Sequence, residues 1–194
     1  MDEGPVHDLT DQVAGTGAPE VRWLDPVERR AWLSLVGIQM LLMPALEADL
    51  QEHGAISTFE YQVLAMLSEN GEPLTMSELA ARTNSSLSRL SHSARKLEAR
   101  GFIERRTCPQ DARVTLAQMT QAGMDEIDRL APRHVESVRR RLLDVLDAED
   151  LEAMSRVGGK IIRHLKPDHW IFRDPAIADT CPQTGAATSW PGGH

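Results

Sequence analysis

Between residues 85 and 120 the spacing of apolar side chains changes period at a single glycine, and that change limits the folds open to the chain. Leu87, Leu90, Ala94 and Leu97 recur at steps of three, four and three, the repeat of one helix face. Gly101 follows, a residue suited to end a helix in the left-handed region. FIERRT (102–107) and VTLAQMT (114–120) then read as two short strands, and CPQDAR between them as an exposed loop. A helix, a glycine stop and a β-hairpin with a basic tip are therefore expected in that order.

Two shorter helices precede this unit. Ser57 to Glu60 and Thr75 to Glu78 each have capping-box spacing, in which a hydroxyl and a carboxylate satisfy free amides at a helix start. The first helix, STFEYQVLAMLSEN, should bury Phe59, Val63, Leu64 and Leu67. The second, TMSELAARTN, should bury Met76, Leu79 and Ala80. Gly71 and Pro73 separate them, and Asn84 and Ser85 turn the chain into the third.

Long helices flank the centre. One runs from Pro26 to about His53, with Gly54 at its end and Pro44 expected to bend it. Its stretch LSLVGIQMLLMPALEADL is apolar on more than one face, which implies contact with another chain. After Thr120 helical spacing returns in QAGMDEIDRLAPRHVESVRRRLLDVL, where Pro132 is expected to kink the helix. DAEDLEAMSRVGGKIIRHL forms the last one. The order specifies a mainly α protein, a winged helix-turn-helix with a two-strand wing and long flanking helices. The expected division is 1–22 and 169–194 as flexible tails, 23–55 and 121–168 as the flanking helices, and 56–120 as the winged helix-turn-helix for DNA binding.

Charge distribution supports a nucleic-acid partner. The chain of 194 residues carries a net −8, yet residues 82–113 carry +5, leaving −13 elsewhere. Phosphate neutralisation needs positive charge at the contact surface, not over the whole molecule. A solvated helix face laced with ion pairs would give the same local count. The N-terminus lacks a secretory pattern, apolar runs fall short of a membrane span, and two cysteines make no disulfide framework or CxxC pair. A cytoplasmic location without membrane attachment fits.

With Leu87, Leu90, Ala94 and Leu97 turned inward, Ser86, Ser88, Arg89, His92, Ser93 and Lys96 are left on the outer surface of the third helix. In a helix-turn-helix the second helix of the motif enters the major groove with its early turns against base edges. Arg89 is the first candidate for a base, since arginine can engage guanine in bidentate fashion, and Lys96 suits a phosphate. Arg100, Arg105 and Arg106 follow at the exit into the wing, as charge for the DNA backbone.

These segments resemble the MarR family of bacterial transcription regulators. The likeness is carried by LTMSELAART (74–83), LSRLSHSARKLEARGFIERR (87–106) and DARVTLAQMTQAG (111–123), and with the flanking helices it covers residues 26–166. The last segment follows the wing pattern of Asp, any residue, Arg, a strand ending near Thr, and Gly. The resemblance implies a homodimer with intertwined terminal helices on pseudo-palindromic double-stranded DNA. It implies Arg113 in a minor groove with Asp111 shaping the loop, repression, and release by a small aromatic effector. Trp32, Met40 and Met43 could line an effector cavity, although such a stripe on an apolar helix is more often core packing. Cys108 beside the basic wing could act as a redox switch, but Cys181 falls in an expected tail. A winged module that binds only protein is a further alternative.

Nothing points to an enzyme. The sequence has no Walker loop, GxSxG elbow or HExxH motif, and no cofactor or metal is expected. His164 and His169 read as a surface pair, because Pro167 interrupts the helical spacing that a shared metal would need.

Overall fold

A computed structural model describes residues 21–173. Of the expected tails at 1–22 and 169–194, residues 1–20 and 174–194, with Cys181, lie outside the described residues. The described residues fall into two compact units, 21–39 and 40–173. Helix α1 is Pro26–Gly54. In the first unit its start is fixed by Asp25, whose Oδ1 accepts from the N–H groups of Val27 (2.7 Å) and Glu28 (2.9 Å). Glu28 returns a carboxylate oxygen to the Asp25 amide at 2.9 Å, completing a reciprocal cap absent from the sequence reading.

The second unit holds the core. Its further elements are α2 (Thr58–Asn70), β1 (Leu74–Thr75), α3 (Met76–Arg82), α4 (Leu87–Ala99), β2 (Ile103–Cys108), β3 (Asp111–Met119), α5 (Gln121–Arg141) and α6 (Ala148–Leu165). Short 3-10 turns cover Leu143–Val145 and Trp170–Arg173. Ser57 and Glu60 form the full expected capping box on α2. Thr75 caps α3 through the Glu78 amide at 3.0 Å, while the Glu78 carboxylate goes to Arg82 at 2.8 Å instead of returning to Thr75.

Gly101 has φ +75° and ends α4 as expected, with the Phe102 amide donating back to Leu97 O. At the end of α1 the left-handed residue is Ala55 (φ 50°), not Gly54. Gly54 is the last helical residue, and a Cβ there would meet Leu130 Cδ1 at 2.9 Å. Its smallness serves close packing against α5, not the helix stop. Pro44 and Pro132 both lie within helices that continue through them.

Strand order is β1-β3-β2, all antiparallel. The two residues of β1 pair with Ala117 and Leu116, adding a third strand to the expected two-strand wing. β3 begins at Asp111, three residues earlier than the alternation suggests, because Cys108 pairs with Asp111 past an irregularity after Thr107. The wing tip is thus a tight turn at Pro109 and Gln110. The core joins Val63, Leu64 and Leu67 of α2 to Leu79, Leu90, Ala94, Leu97, Ile103, Ala117, Ile127 and Leu130. Fully burying one of its valine, leucine or isoleucine side chains contributes about 1.5–3 kcal/mol. Trp170 also packs on this cluster, although the sequence reading put it in a tail.

Two faces stay open. α6 buries none of its residues and exposes Leu151, Met154, Val157, Ile161 and Leu165 in one stripe. α1 is long and apolar enough, with a mean hydropathy of 1.5 over an 18-residue stretch, to cross a membrane by length and composition. That corrects the expectation that every apolar run falls short; such a helix is weak evidence for a span, and the core helix of a soluble protein passes the same test.

Asp49 of α1 joins three groups of α5: Arg141 at 2.7 and 2.8 Å, Arg140 at 3.3 Å, and the Ser137 hydroxyl, which donates to it. The Arg141 and Ser137 hydrogen bonds hold its carboxyl well below the usual range. His134, on the same helix, packs its ring against Tyr61 with centroids 4.4 Å apart and the planes tilted by 47°, and its buried Nδ1 is unpartnered among the described residues. Burial pushes its pKa below the ordinary 6.5. Both shifts are downward, so each group adds stability that is complete above its unfolded pKa and is lost as pH falls through the folded one. Unfolding midpoints should hold from pH 7 up to the tyrosine range, where buried Tyr61 is pushed up to about 12, decline below 6.5 as His134 and His169 protonate, and fall again below 3.8 with Asp49. Urea titrations of parent and His134→Gln check this: the variant should lose the larger part of the first decline, keeping the share that comes from the less buried His169, and should keep the second in full.

Candidate nucleic-acid interface

α4 is held against the core by Leu90, Ser93, Ala94 and Leu97. This differs from the sequence reading at two places. Leu87, expected inward, is 51% exposed, and Ser93, expected outward at the DNA, is 8% exposed. The helix repeat puts Leu87 roughly 70° from the centre of the buried face, whereas Ser93 lies within it. Ser93 is thereby withdrawn from the outer row. Ser86, Ser88, Arg89, His92 and Lys96 are exposed as expected. Ser86 also caps the helix, its hydroxyl accepting from the Arg89 amide at 3.2 Å.

The cations fall into different states. The Arg89 guanidinium lies over the Phe59 ring, 4.2 Å from its centroid. Lys96 Nζ stands 4.0 Å from Glu60 Oε1. Arg106 is exposed and has no ion pair or hydrogen-bonded side-chain partner among the described residues. Arg105, expected as charge for the DNA backbone, is instead neutralised by Glu98 of α4, with side-chain contacts of 2.6 and 3.1 Å. Its amide also donates to that carboxylate, and these bonds lower the Glu98 pKa. Arg100, likewise expected to face DNA, donates to the Ala55 and Gly54 carbonyls at 3.0 and 3.1 Å. There it complements the negative end of α1, a task it shares with Arg129 on His53 O.

On the wing, Asp111 and Arg113 sit two apart on β3 and so share a face. Arg113 Nε and Nη2 each reach an Asp111 oxygen at 3.1 Å, and the Arg113 amide adds a bond of 3.0 Å. These bonds lower the Asp111 pKa and raise that of Arg113. Arg113 remains 90% exposed, so its far edge is open to solvent while Asp111 fixes its direction. Cys108 is half-buried, its thiol donating to Gln110 Oε1 at 3.0 Å.

Trp32 (55% exposed), Met40 (69%) and Met43 (49%) join no core cluster among the described residues. A polar cleft of about 290 Å³ lies elsewhere, lined by Asp49, His53, Arg133, Glu136, Ser137 and Arg140. No sequence signal marked it, since its walls come from residues nearly ninety positions apart. His169, one of the surface histidines, accepts from the Ile171 amide through Nδ1 at 3.3 Å.

A helical pair with an exposed polar row on its second member, followed by a basic hairpin, defines a winged helix-turn-helix DNA-binding protein. The MarR family model matches residues 56–114. AbsC, a MarR family transcriptional regulator from Streptomyces coelicolor, is 37% identical, with a TM-score of 0.72 over 76% of this chain and 100% of that one. Sco3205, a MarR family regulator from the same organism solved in complex with DNA, is 32% identical, with a TM-score of 0.74 over 78% of this chain and 95% of that one. The transcriptional repressor IacR of Pseudomonas putida is 27% identical over 89 residues, 46% of this chain. That match spans 53% of IacR, and the chain covers about half the length of such curated relatives. The chain belongs to the MarR family and is a transcription regulator of the winged-helix type.

Proposed function

We propose that the chain is a cytoplasmic, homodimeric repressor of pseudo-palindromic double-stranded DNA, released by a small effector. α4 enters the major groove through Ser88, Arg89 and His92, Ser86 and Lys96 approach phosphates, and Arg113 of the wing reaches a minor groove. The observation that carries the reading is the outer row of α4, where Arg89 is exposed with its side-chain donors unpaired, beside a wing arginine that is 90% exposed. A DNA complex of the 32% identical Sco3205 supports it, as does the repressor name of IacR. The apolar stripe of α6 supports a second copy, because a contiguous exposed apolar face marks an interface. Residues 23–55 and 121–168 then supply dimerisation and 56–120 reads DNA, with the heads about 34–36 Å apart on successive major grooves.

The test is equilibrium binding to the region upstream of the protein's own gene against random duplex, across a salt series, with mass measured by ultracentrifugation. Expected are a preference for the upstream duplex, affinity that falls linearly in log–log form with salt, and twice the chain mass. A protein with neither preference nor salt dependence, or one that stays monomeric, would overturn the reading.

A further inference from the structure

We propose that Phe59 of α2 is a positioning residue for sequence recognition: its ring holds the Arg89 guanidinium by the face and leaves the in-plane donors free for a base. The five N–H donors of a guanidinium all lie in its plane, so a partner on the edge consumes them and a partner on the face does not. Arg82, Arg105 and Arg113 are engaged at the edge, by Glu78, Glu98 and Asp111 respectively. Arg89 is engaged at the face, 4.2 Å from the Phe59 centroid, and its side chain makes no hydrogen bond or ion pair among the described residues.

The ring is itself fixed. Phe59 is half-buried against the core cluster, in the first turn of a helix whose start is tied by the Ser57–Glu60 capping box. Glu60, its neighbour, stands near Lys96, so the first turn of α2 backs two cations of α4. A free arginine must give up several rotatable bonds when it meets a base, and a stacked one has already given up most of them. The benefit falls on contacts that need one orientation, namely bidentate base contacts. Contacts with phosphate tolerate many orientations and gain little.

The inference rests on Arg89 as a base reader, and the experiment separates the two claims. The readout is the ratio of affinities of the full-length protein for its own upstream duplex and for random duplex of equal length. Phe59→Leu should lower that ratio about three- to tenfold while leaving the random-duplex affinity and salt slope at parent values. Phe59→Tyr, which keeps an aromatic face, should restore the parent ratio. In an Arg89→Ala background Phe59→Leu should change nothing further. Phe59→Met provides a second non-aromatic variant should the leucine protein fold poorly. In the free protein, the upfield ring-current shift of the Arg89 side-chain resonances should vanish in either. An unchanged ratio in Phe59→Leu, an equal loss on both duplexes, or an additive loss with Arg89→Ala would overturn the role of Phe59 alone. If Arg89→Ala itself leaves the ratio unchanged, the base-reading assignment fails and the proposal falls with it.

Discussion

Replacing Gly123 by alanine should destabilise the winged-helix core by about 3 kcal/mol or more, enough to leave little folded protein at moderate urea. Gly123 is the third residue of α5, and a Cβ there would stand 2.0 Å from the Phe102 carbonyl oxygen, 2.9 Å from its carbon and 2.6 Å from Met119 Sδ. The methionine could swing aside. The carbonyl could not, since Phe102 follows the glycine stop of α4, its amide bonded to Leu97 O and its carbonyl accepting from the Thr120 amide. Thr120 locks the other side, its hydroxyl donating to Gly101 O at 2.6 Å and accepting from the Gly123 amide at 3.1 Å. Making room would move the start of α5 away from the wing.

Gly101→Ala is the control. Gly101 has a positive φ but nothing within 4 Å of a Cβ, so alanine should cost only about 1 kcal/mol there, from backbone strain. Urea unfolding of the two variants therefore compares a clash with a strained dihedral. Equal midpoints would mean that α5 yields at little cost, and that the close approach of Gly123 to Phe102 is not what this position requires.

The same glycine shows how sequence and structure divide the information. The wing pattern from Asp111 to Gly123 was readable, and so were the starts of α2 and α3 and the stop of α4, because hydroxyl caps and left-handed stops act within four residues of themselves. The Asp-x-Arg spacing was readable as a motif, but its reason, two side chains on one strand face, needed the start of β3. What the sequence concealed depends on packing between distant segments. Arg105 and Arg106 are adjacent and chemically alike, yet Glu98 comes close to only the first, since α4 passes beside β2. Arg100 belongs to the basic run but serves the carbonyls of a helix 46 residues away. Leu87 and Ser93 exchange the sides expected of them because a leucine stripe locates a buried face only to within one residue per turn. β1 has two residues, too few for alternation to register.

The largest functional effect is expected from Arg89→Ala. A good bidentate contact to a base discriminates by about 1–3 kcal/mol, and a symmetric dimer makes it twice. Binding to the upstream duplex should therefore weaken on the order of a hundredfold or more, while random duplex loses only what one fewer positive charge per head removes. Arg106 offers the matched comparison, being equally cationic, exposed and unpaired, but on the strand that leads into the wing and not in the outer row of α4. Arg106→Ala should weaken both duplexes nearly alike and flatten the log–log salt dependence by about 2 for the dimer. The contrast turns on position alone, because the two substitutions remove the same charge. If Arg89→Ala instead weakens both duplexes equally and flattens the salt dependence as Arg106→Ala does, Arg89 is a phosphate contact, and sequence must be read by Ser88, His92 or the wing.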